Sequence, residues 1–144
     1  MKISTKGRYA LRVMVDLAEQ GTGAYIPLKD IASRQGISEK YLENILPALT
    51  APKFLEGLRG KGGGYRLTRA PEAYTVGSVL RLVEGDLAPV ACLEGDAMDC
   101  PRAGACRTLP MWRALHSTLH DFFEGITIAD LCGQPDDARD RIIE

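Results

Sequence analysis

The chain has 144 residues and a mass of 15.7 kDa, the size of one domain or of a small domain with an appendage, which excludes a multidomain enzyme. With 45% hydrophobic and 26% charged residues it can bury a core, and it is not collagen-like, low-complexity or wholly disordered. Its longest charge-free stretches have nine residues, against about 20 for a membrane span, and its first residues are charged where a secretory signal is apolar. We therefore expect a cytoplasmic protein of bacterial type with no membrane segment.

The net charge of -1 hides an uneven distribution along the chain. Residues 1–70 hold 12 lysines and arginines against six acidic residues, a balance of +6. The remaining 74 residues hold six basic against 13 acidic residues, a balance of -7. A basic half on an acidic body is typical of a protein that docks one half on a polyanion, and chance clustering on a solvated surface is the alternative.

Two helices are predicted before the first sharp turn. Apolar pairs recur every four residues from Tyr9 to Ala18, and Gly21 follows as a stop signal. Residues 27–36 predict a short second helix that begins at a proline and ends at a glycine. A glycine at that end allows the positive φ with which the chain turns into the next element.

A third helix follows this turn. Ser38 can cap it by accepting a hydrogen bond from a free backbone N–H group, and its apolar residues are spaced for an inward face. Pro47 removes a hydrogen bond and favours a kink, so the regular part of the helix is predicted to end near Leu46. The outward face then carries the polar side chains Glu39, Lys40, Glu43 and Asn44.

A β-hairpin, a fourth helix and a long loop are predicted next. Residues 54–67 are two short β-type runs around a glycine-rich tip, which is a hairpin pattern. Thr75 can cap a fourth helix that Gly85 closes. No periodicity continues between Asp86 and Arg107, and a loop of this length in a small protein is usually functional or disordered. Three of the four cysteines lie in this loop.

A fifth helix is predicted to begin near Thr108 and Pro110. Its apolar residues alternate at spacings of three and four, which is the seam of a coiled coil, and this favours a dimer over packing against the protein's own core. The seam consists of Trp112, Leu115, Leu119, Phe122 and Ile126. Thr127 and Asp130 predict a short capped turn, and the charged segment from Pro135 onward is expected to be a frayed tail.

Two short helices that meet at a glycine, followed by a basic hairpin, are typical of a winged helix-turn-helix. Its second helix enters the major groove of DNA, where each base pair shows a distinct hydrogen-bonding pattern. The side chains expected to reach bases or phosphates are Ser38, Lys40, Tyr41, Glu43 and Asn44. In the hairpin, Arg59 and Lys61 can follow phosphates or enter a narrow minor groove, and Gly62, Gly63 and Gly64 let the backbone approach the strand. A nucleotide phosphate loop is disfavoured because the glycine spacing is not that of a Walker loop.

Cys92, Cys100 and Cys106 are spaced too loosely for a zinc ribbon, whose ligands come as close pairs. Soft thiolates suit iron–sulfur clusters, and a cytoplasmic setting argues against structural disulfides. The residues alone leave open a metal or cluster site, a thiol switch and inert cysteines. Cys132 lies in an apolar helical stretch and is expected to be a small buried residue.

Several motifs occur together in one order along residues 1–133. They are residues 6–11, residues 31–32 with 36–38 and 41–43, residues 59–60 with 63–67, and the three loop cysteines before Trp112. In this combination the sequence resembles the Rrf2 family of winged-helix transcription regulators, in particular its iron–sulfur cluster regulator (IscR-like) branch. The resemblance implies a homodimer that is joined by the fifth helix, binds partly palindromic promoter DNA and carries a cluster-bearing loop that tunes DNA affinity. It also implies roles for particular residues: Ser38, Tyr41 and Glu43 in the recognition helix, Arg59 in the wing, and Cys92, Cys100 and Cys106 as cluster ligands.

The sequence departs from the family at the fourth cluster ligand. Some relatives have a histidine three residues beyond the third cysteine, where this chain has Leu109, and others have an acidic residue near the start of the first helix, where it has Arg8. The cluster type, 2Fe–2S or 4Fe–4S, and the chemical signal therefore stay open. The remaining candidates for the fourth cluster ligand are water, a small thiol or a carboxylate of Glu94, Asp96 or Asp99.

The sequence thus predicts a mainly α protein with a small β-hairpin wing. A winged helix-turn-helix is expected at 1–74, a cluster-binding loop and dimerisation helix at 75–134, and a flexible tail at 135–144. The expected function is a dimeric regulator that binds double-stranded promoter DNA and senses cluster supply, iron, oxygen or nitric oxide through an iron–sulfur cluster. One alternative is a regulator of the same fold that uses its cysteines as a thiol redox switch or zinc site. A redox or cluster-carrier protein is disfavoured because the chain has no nucleophile–base pair, no C-x-x-C and no cofactor fingerprint.

Overall fold

The computed structural model describes residues 1–21, 23–96 and 99–143. Within these ranges the chain forms seven α-helices and one two-stranded antiparallel sheet, and no helix there is long and apolar enough to cross a membrane. The helices are α1 (Thr5–Gln20), α2 (Leu28–Gln35), α3 (Glu39–Thr50), α4 (Val76–Glu84), α5 (Leu109–Glu124), α6 (Ile128–Leu131) and α7 (Pro135–Ile143), and the strands are β1 (Leu55–Leu58) and β2 (Gly64–Leu67). The predicted mainly α fold with a β-hairpin is confirmed.

The turn between α2 and α3 has the predicted construction. α2 ends at Gly36, whose φ of 62° lies in the left-handed region that glycine adopts without strain. The Ser38 hydroxyl accepts a hydrogen bond from the Tyr41 N–H group and so caps α3. Ile37, between the two, is buried in the core and fixes the direction in which α3 leaves the turn.

The prediction that α3 ends near Leu46 is wrong, because the helix continues to Thr50. Pro47 lies inside the helix on its exposed side, and its own carbonyl accepts from the Ala51 N–H group at 3.0 Å. Leu46 and Leu49 are both buried, and burying each contributes about 1.5–3 kcal/mol. This contribution offsets the hydrogen bond that proline cannot make.

The segment around Ile26, which precedes α2, pairs with strand β2 and joins the hairpin to the helices. Leu55 pairs with Leu67 and Leu58 with Gly64, while Ile26 and Tyr65 exchange two backbone hydrogen bonds of 2.8 Å. A side chain at Gly64 would overlap the carbonyl group of Ile26, so only glycine permits this close approach.

The core lies between α1, α3, α4 and α6. It contains, among others, Val13, Met14, Leu42, Ile45, Val79 and Ile128. Tyr74 is also fully buried, and its hydroxyl donates to the Phe54 carbonyl at 2.8 Å and accepts from the Thr68 and Arg69 N–H groups at 3.0 Å. This residue therefore ties the base of the hairpin to the start of α4.

The C-terminal part differs from the prediction at two places. α5 ends at Glu124, so Ile126 lies beyond the helix, where its carbonyl accepts from the Val76 N–H group at 2.8 Å. The predicted capped turn is confirmed, because Thr127 and Asp130 form a reciprocal capping box at the start of α6. The segment expected to be a frayed tail is helical as α7, with a proline at its start and acidic residues in its first turn.

Candidate nucleic-acid interface and cysteine loop

The outward face of α3 is exposed where the sequence predicts contacts with DNA. Lys40, Glu43 and Asn44 are exposed, and Ser38 is exposed at the cap. Tyr41 is half-buried, because its ring packs edge-on against the Tyr9 ring of α1 with centroids 5.3 Å apart. Four of the five predicted residues therefore face outward, while the fifth is partly committed to holding α3 on α1.

A charged network that the sequence analysis missed fixes α2 against α1. The Asp16 carboxylate is 2% exposed and accepts two hydrogen bonds from Arg34, at 2.8 and 3.0 Å, and one from the Gln35 side chain at 2.9 Å. The hydrogen bond to Asp16 raises the pKa of Arg34 above its ordinary value. A signal for this pair was present, since Asp16 interrupts an otherwise apolar helix face next to Leu17.

The tip of the wing exposes two cations. Arg59 and Lys61 are exposed, and among the described residues neither forms an ion pair or a side-chain hydrogen bond. Gly62 adopts a φ of 76°, which a glycine provides without strain. The fold of the wing also requires glycine at position 63, because a side chain there would overlap the Leu58 carbonyl and prevent the tip from closing.

The recognition helix and the wing lie next to each other. Glu43 and Thr50 of α3 line one side of a cavity of about 350 Å³, and Leu58, Arg59 and Tyr65 of the hairpin line the other. The structure therefore brings together the two predicted DNA-contacting elements on one surface.

The described part of the loop between α4 and α5, residues 85–96 and 99–108, contains two 3-10 turns, Ala91–Leu93 and Ala103–Ala105. Cys92 lies in the first turn, Cys106 follows the second and Cys100 lies between them, and each is a half-buried free thiol. No group of three or more His, Cys, Asp and Glu side chains among the described residues is close enough to hold a metal ion. The thiol donors suit an iron–sulfur cluster chemically, but this conformation does not assemble them into a ligand set.

The surroundings of Cys106 favour its thiolate form more than those of an ordinary cysteine do. Its sulfur lies 3.4 Å from the Thr108 hydroxyl, just before α5 begins. Hydrogen bonds from that hydroxyl and from the backbone N–H groups of Thr108 and Leu109 lower the pKa of Cys106. Cys132 differs, because burial raises its pKa and its thiol donates to the Ile128 carbonyl at 3.3 Å.

The positions of the family's fourth ligand are occupied by residues with other contacts. Leu109 is 5% exposed and belongs to the buried residues, and the Arg8 guanidinium donates to the Thr5 hydroxyl at 3.0 Å. The candidate carboxylates Glu94, Asp96 and Asp99 are exposed in the loop.

α5 presents an apolar face to solvent in this single chain. Met111, Leu115 and Phe122 are 54%, 40% and 53% exposed, and Trp112 and Leu119 between them are half-buried. Four of the five predicted seam residues, Trp112, Leu115, Leu119 and Phe122, therefore lie on α5 with only part of their surface covered.

The helix-turn-helix, its adjacent wing and the exposed polar face of α3 define a winged-helix, DNA-binding transcription regulator. The Rrf2 family, described as iron-dependent transcriptional regulators, matches residues 3–134. The chain belongs to the Rrf2 family. The family and the fold class that were predicted from the sequence are therefore both confirmed.

Regulators that are similar to this chain in sequence and in structure agree with its assignment to the Rrf2 family. The transcriptional regulator IscR of Vibrio campbellii is 37% identical over 131 residues, which are 91% of this chain and 77% of the relative. The solved structure of CymR, the global cysteine regulator of B. subtilis, has a TM-score of 0.74 and 33% identity and covers 91% of this chain and 95% of that one. T. potens IscR has a TM-score of 0.69 and 32% identity and covers 91% and 85%. These relatives are transcriptional regulators and not enzymes.

Proposed function

We propose that the chain is a homodimeric promoter-binding regulator whose DNA affinity is set by an iron–sulfur cluster on Cys92, Cys100 and Cys106. The observation that carries this proposal is that three of the four cysteines share one loop, outside the exposed polar surface formed by α3 and the wing. The proposal includes a cytoplasmic location, since that compartment keeps thiols reduced.

The DNA-binding part of the proposal assigns different contacts to α3 and the wing. α3 enters the major groove, where Lys40, Glu43 and Asn44 reach base edges. Arg59 and Lys61 neutralise phosphates or enter the narrow minor groove beside it. Ser38 and Tyr41 hold the start of α3, and Gly62 and Gly63 give the wing tip its shape. A dimer that places two such surfaces on one duplex reads a partly palindromic site.

The dimer part of the proposal rests on the apolar face of α5. Burial of a leucine or phenylalanine side chain contributes about 1.5–3 kcal/mol, and Met111, Leu115 and Phe122 lie on that face with about half of their surface exposed. The face is continuous along the helix and has the spacing of a coiled-coil seam, so a second copy of α5 is its occupant.

The cluster part of the proposal depends on thiolate chemistry in the loop. When bound, a cluster makes the loop responsive to iron supply, oxygen or nitric oxide. Cys106 is held toward the thiolate form that ligates iron, by the hydroxyl of Thr108 and the N–H groups at the start of α5. The three thiols have to converge to complete the set, because no three candidate ligands lie close enough together among the described residues.

A second candidate function is a thiol switch without metal. It is favoured by the structural similarity to CymR, described as a cysteine regulator, and by the lowered pKa of Cys106. In that case a peroxide oxidises the Cys106 thiolate to a sulfenic acid and is itself reduced to water or an alcohol. A second loop thiol then attacks the sulfur, a disulfide forms and water leaves.

Metal and sulfide analysis of cysteine variants tests the proposal. Protein is reconstituted anaerobically with ferrous iron and sulfide, and iron and acid-labile sulfide are counted per dimer. Cys92→Ala, Cys100→Ala and Cys106→Ala should each lose the cluster and its visible absorption, whereas the matched control Cys132→Ala should keep both. Full iron in any loop variant, or none in Cys132→Ala, contradicts the ligand set. Bound zinc without sulfide, or neither metal nor sulfide in the wild type, supports the alternatives.

A further inference from the structure

A carboxylate from the end of α4 lies on the start of α1. The Ser4 N–H group donates to Glu84 Oε1 at 2.9 Å, and the Ser4 hydroxyl donates to the same oxygen at 2.5 Å. The Ser4 hydroxyl also accepts from the Gly7 N–H group at 3.2 Å and is thereby the cap of α1. Glu84 thus holds the residue that begins α1, and its negative charge lies at the positive end of that helix.

Gly7 makes room for this contact. Gly7 is buried inside α1, and a methyl group in place of its hydrogen would overlap the Glu84 carboxylate. Gly7 lies in the first turn of α1, and the space left by its missing side chain is occupied by the Glu84 carboxylate. The contact can therefore be removed from either side, by changing Glu84 or by adding one methyl group to Gly7.

Glu84 is the last residue of α4 before the cysteine loop. Gly85 follows with a φ of 80°, and the Asp86 carboxylate accepts from the N–H groups of Ala88 and Gly95 at 2.7 Å each. These bonds close residues 86–95 into one unit that includes Cys92 and begins two residues after Glu84. A rearrangement that moves Cys92 toward other thiols acts on this unit, and through Gly85 on the last turn of α4.

The opposite end of α4 is fastened to α5. The Thr75 hydroxyl donates to Glu124 at 2.8 Å, and the Arg81 guanidinium, from the last turn of α4, pairs with the same carboxylate at 2.5 Å. A side chain at Gly77 would overlap Glu124, so this end is packed as closely as the Glu84 end. Glu124 therefore holds α4 both at its cap and in its last turn, and the contact of Glu84 with Ser4 is a separate connection from α4 to the start of α1.

α1 in turn positions the recognition helix. Asp16 of α1 holds Arg34 and Gln35 of α2, and Tyr9 of α1 packs on Tyr41 of α3. A shift at the start of α1 is therefore passed on to both helices of the DNA-reading unit.

We infer that Glu84 is the positioning residue through which the cysteine loop acts on the DNA-binding domain, by way of Ser4 and the start of α1. This inference rests on the proposed function, since it requires that the state of the loop cysteines changes DNA affinity. Glu84 lies in neither of the proposed DNA-contacting elements nor in the cysteine loop, and its role is to couple them.

The test compares DNA affinity in two states of the loop for wild type, Glu84→Gln and Gly7→Ala. The states are reduced metal-free protein and protein reconstituted anaerobically with ferrous iron and sulfide; diamide-oxidised protein replaces the second state where no cluster forms. We expect an affinity ratio of about fivefold or more between states in wild type and below about twofold in both variants. Glu72→Gln, which removes an exposed carboxylate elsewhere, should keep the wild-type ratio.

The double variant Glu84→Ala/Gly7→Ala serves as the second control. Because Gly7→Ala acts by displacing the Glu84 carboxylate, it should change the ratio no further once that carboxylate is gone. Circular dichroism and thermal unfolding identify variants that have lost the fold, and the ratio is read from those that retain it. A wild-type ratio near one overturns both the proposed function and this inference. A wild-type ratio retained in Glu84→Gln and Gly7→Ala overturns this inference alone.

Discussion

Arg59 of the wing and Glu43 of α3 border the same cavity but suit different contacts with DNA. A guanidinium neutralises phosphate, whereas a carboxylate repels phosphate and can accept a hydrogen bond from cytosine. We predict that Arg59→Ala weakens binding to every sequence and makes the salt dependence shallower by about 0.9 in log–log slope. Glu43→Ala should instead change base preference. Competition binding with single-base variants of the promoter at several salt concentrations measures both, and equal losses on all sequences from Glu43→Ala would count against base reading.

The two thiols Cys106 and Cys132 should differ in reactivity at the same pH. Hydrogen bonds lower the pKa of Cys106, whereas burial raises that of Cys132, and only the thiolate reacts with iodoacetamide. The alkylation rate should therefore rise at a lower pH for Cys106 than for Cys132, as followed by mass spectrometry of the two peptides. Thr108→Val should move the Cys106 profile to higher pH, while Thr118→Val should not. Coinciding profiles for the two cysteines would refute this account of the thiols.

At the scale of elements, the joint between α4 and α5 depends on Glu124. Burial alone raises the pKa of Glu124, but hydrogen bonds from Arg81 and Thr75 together with the charge of Arg81 outweigh it, so the pKa lies below its ordinary value. Because the pKa of Glu124 is lower in the folded than in the unfolded protein, its carboxylate stabilises the fold at pH values above the ordinary carboxyl pKa. That contribution to the free energy of unfolding is lost as the pH falls through the lowered pKa. Glu124→Gln should cost about 1 kcal/mol of unfolding free energy at pH 7 and less at pH 3. Urea unfolding at both pH values checks this, with Glu94→Gln as an exposed control; an equal cost at both contradicts it.

The elements that could be predicted correctly from the sequence are those whose ends are marked by residues close together in the chain. Ser38, Gly36 and Thr75 mark helix ends because capping involves residues within one turn, and the glycine-rich hairpin has its own pattern. The length of α3 was not predictable in this way, since the burial that carries it past Pro47 depends on packing against other helices.

The candidate site likewise contains features that are set by neighbouring residues and features that are set by contacts between distant residues. The exposed polar residues of α3 follow from helix periodicity, and the exposed cations of the wing from the hairpin pattern. Contacts between residues that are distant in the sequence cannot be predicted from such patterns. Examples are the contacts of Arg34 with Asp16, 18 positions apart, and of Glu84 with Ser4, 80 positions apart. Whether the three loop cysteines converge is likewise a matter of tertiary structure, which spacing alone does not determine.

For the whole molecule, the exposed face of α5 predicts a dimer whose loss also costs DNA affinity. Phe122→Glu places a charge on that face and should give a monomer in light scattering. Binding to the promoter should then fall by about 100-fold or more, because the two half-sites are no longer bound together. Ile143→Glu, at a residue 73% exposed on α7, is the control and should remain dimeric. A dimeric Phe122→Glu variant would assign the interface to another surface.

In the proposed function, the state of Cys92, Cys100 and Cys106 sets the affinity of the molecule for DNA. The most direct measurement is binding to the DNA upstream of its own gene, by reduced metal-free and by cluster-reconstituted protein, at one salt concentration. We predict that the two affinities differ by about fivefold or more in wild type, and that they become equal when all three loop cysteines are replaced by alanine. Equal affinities in wild type, with a cluster demonstrably bound, would contradict the claim.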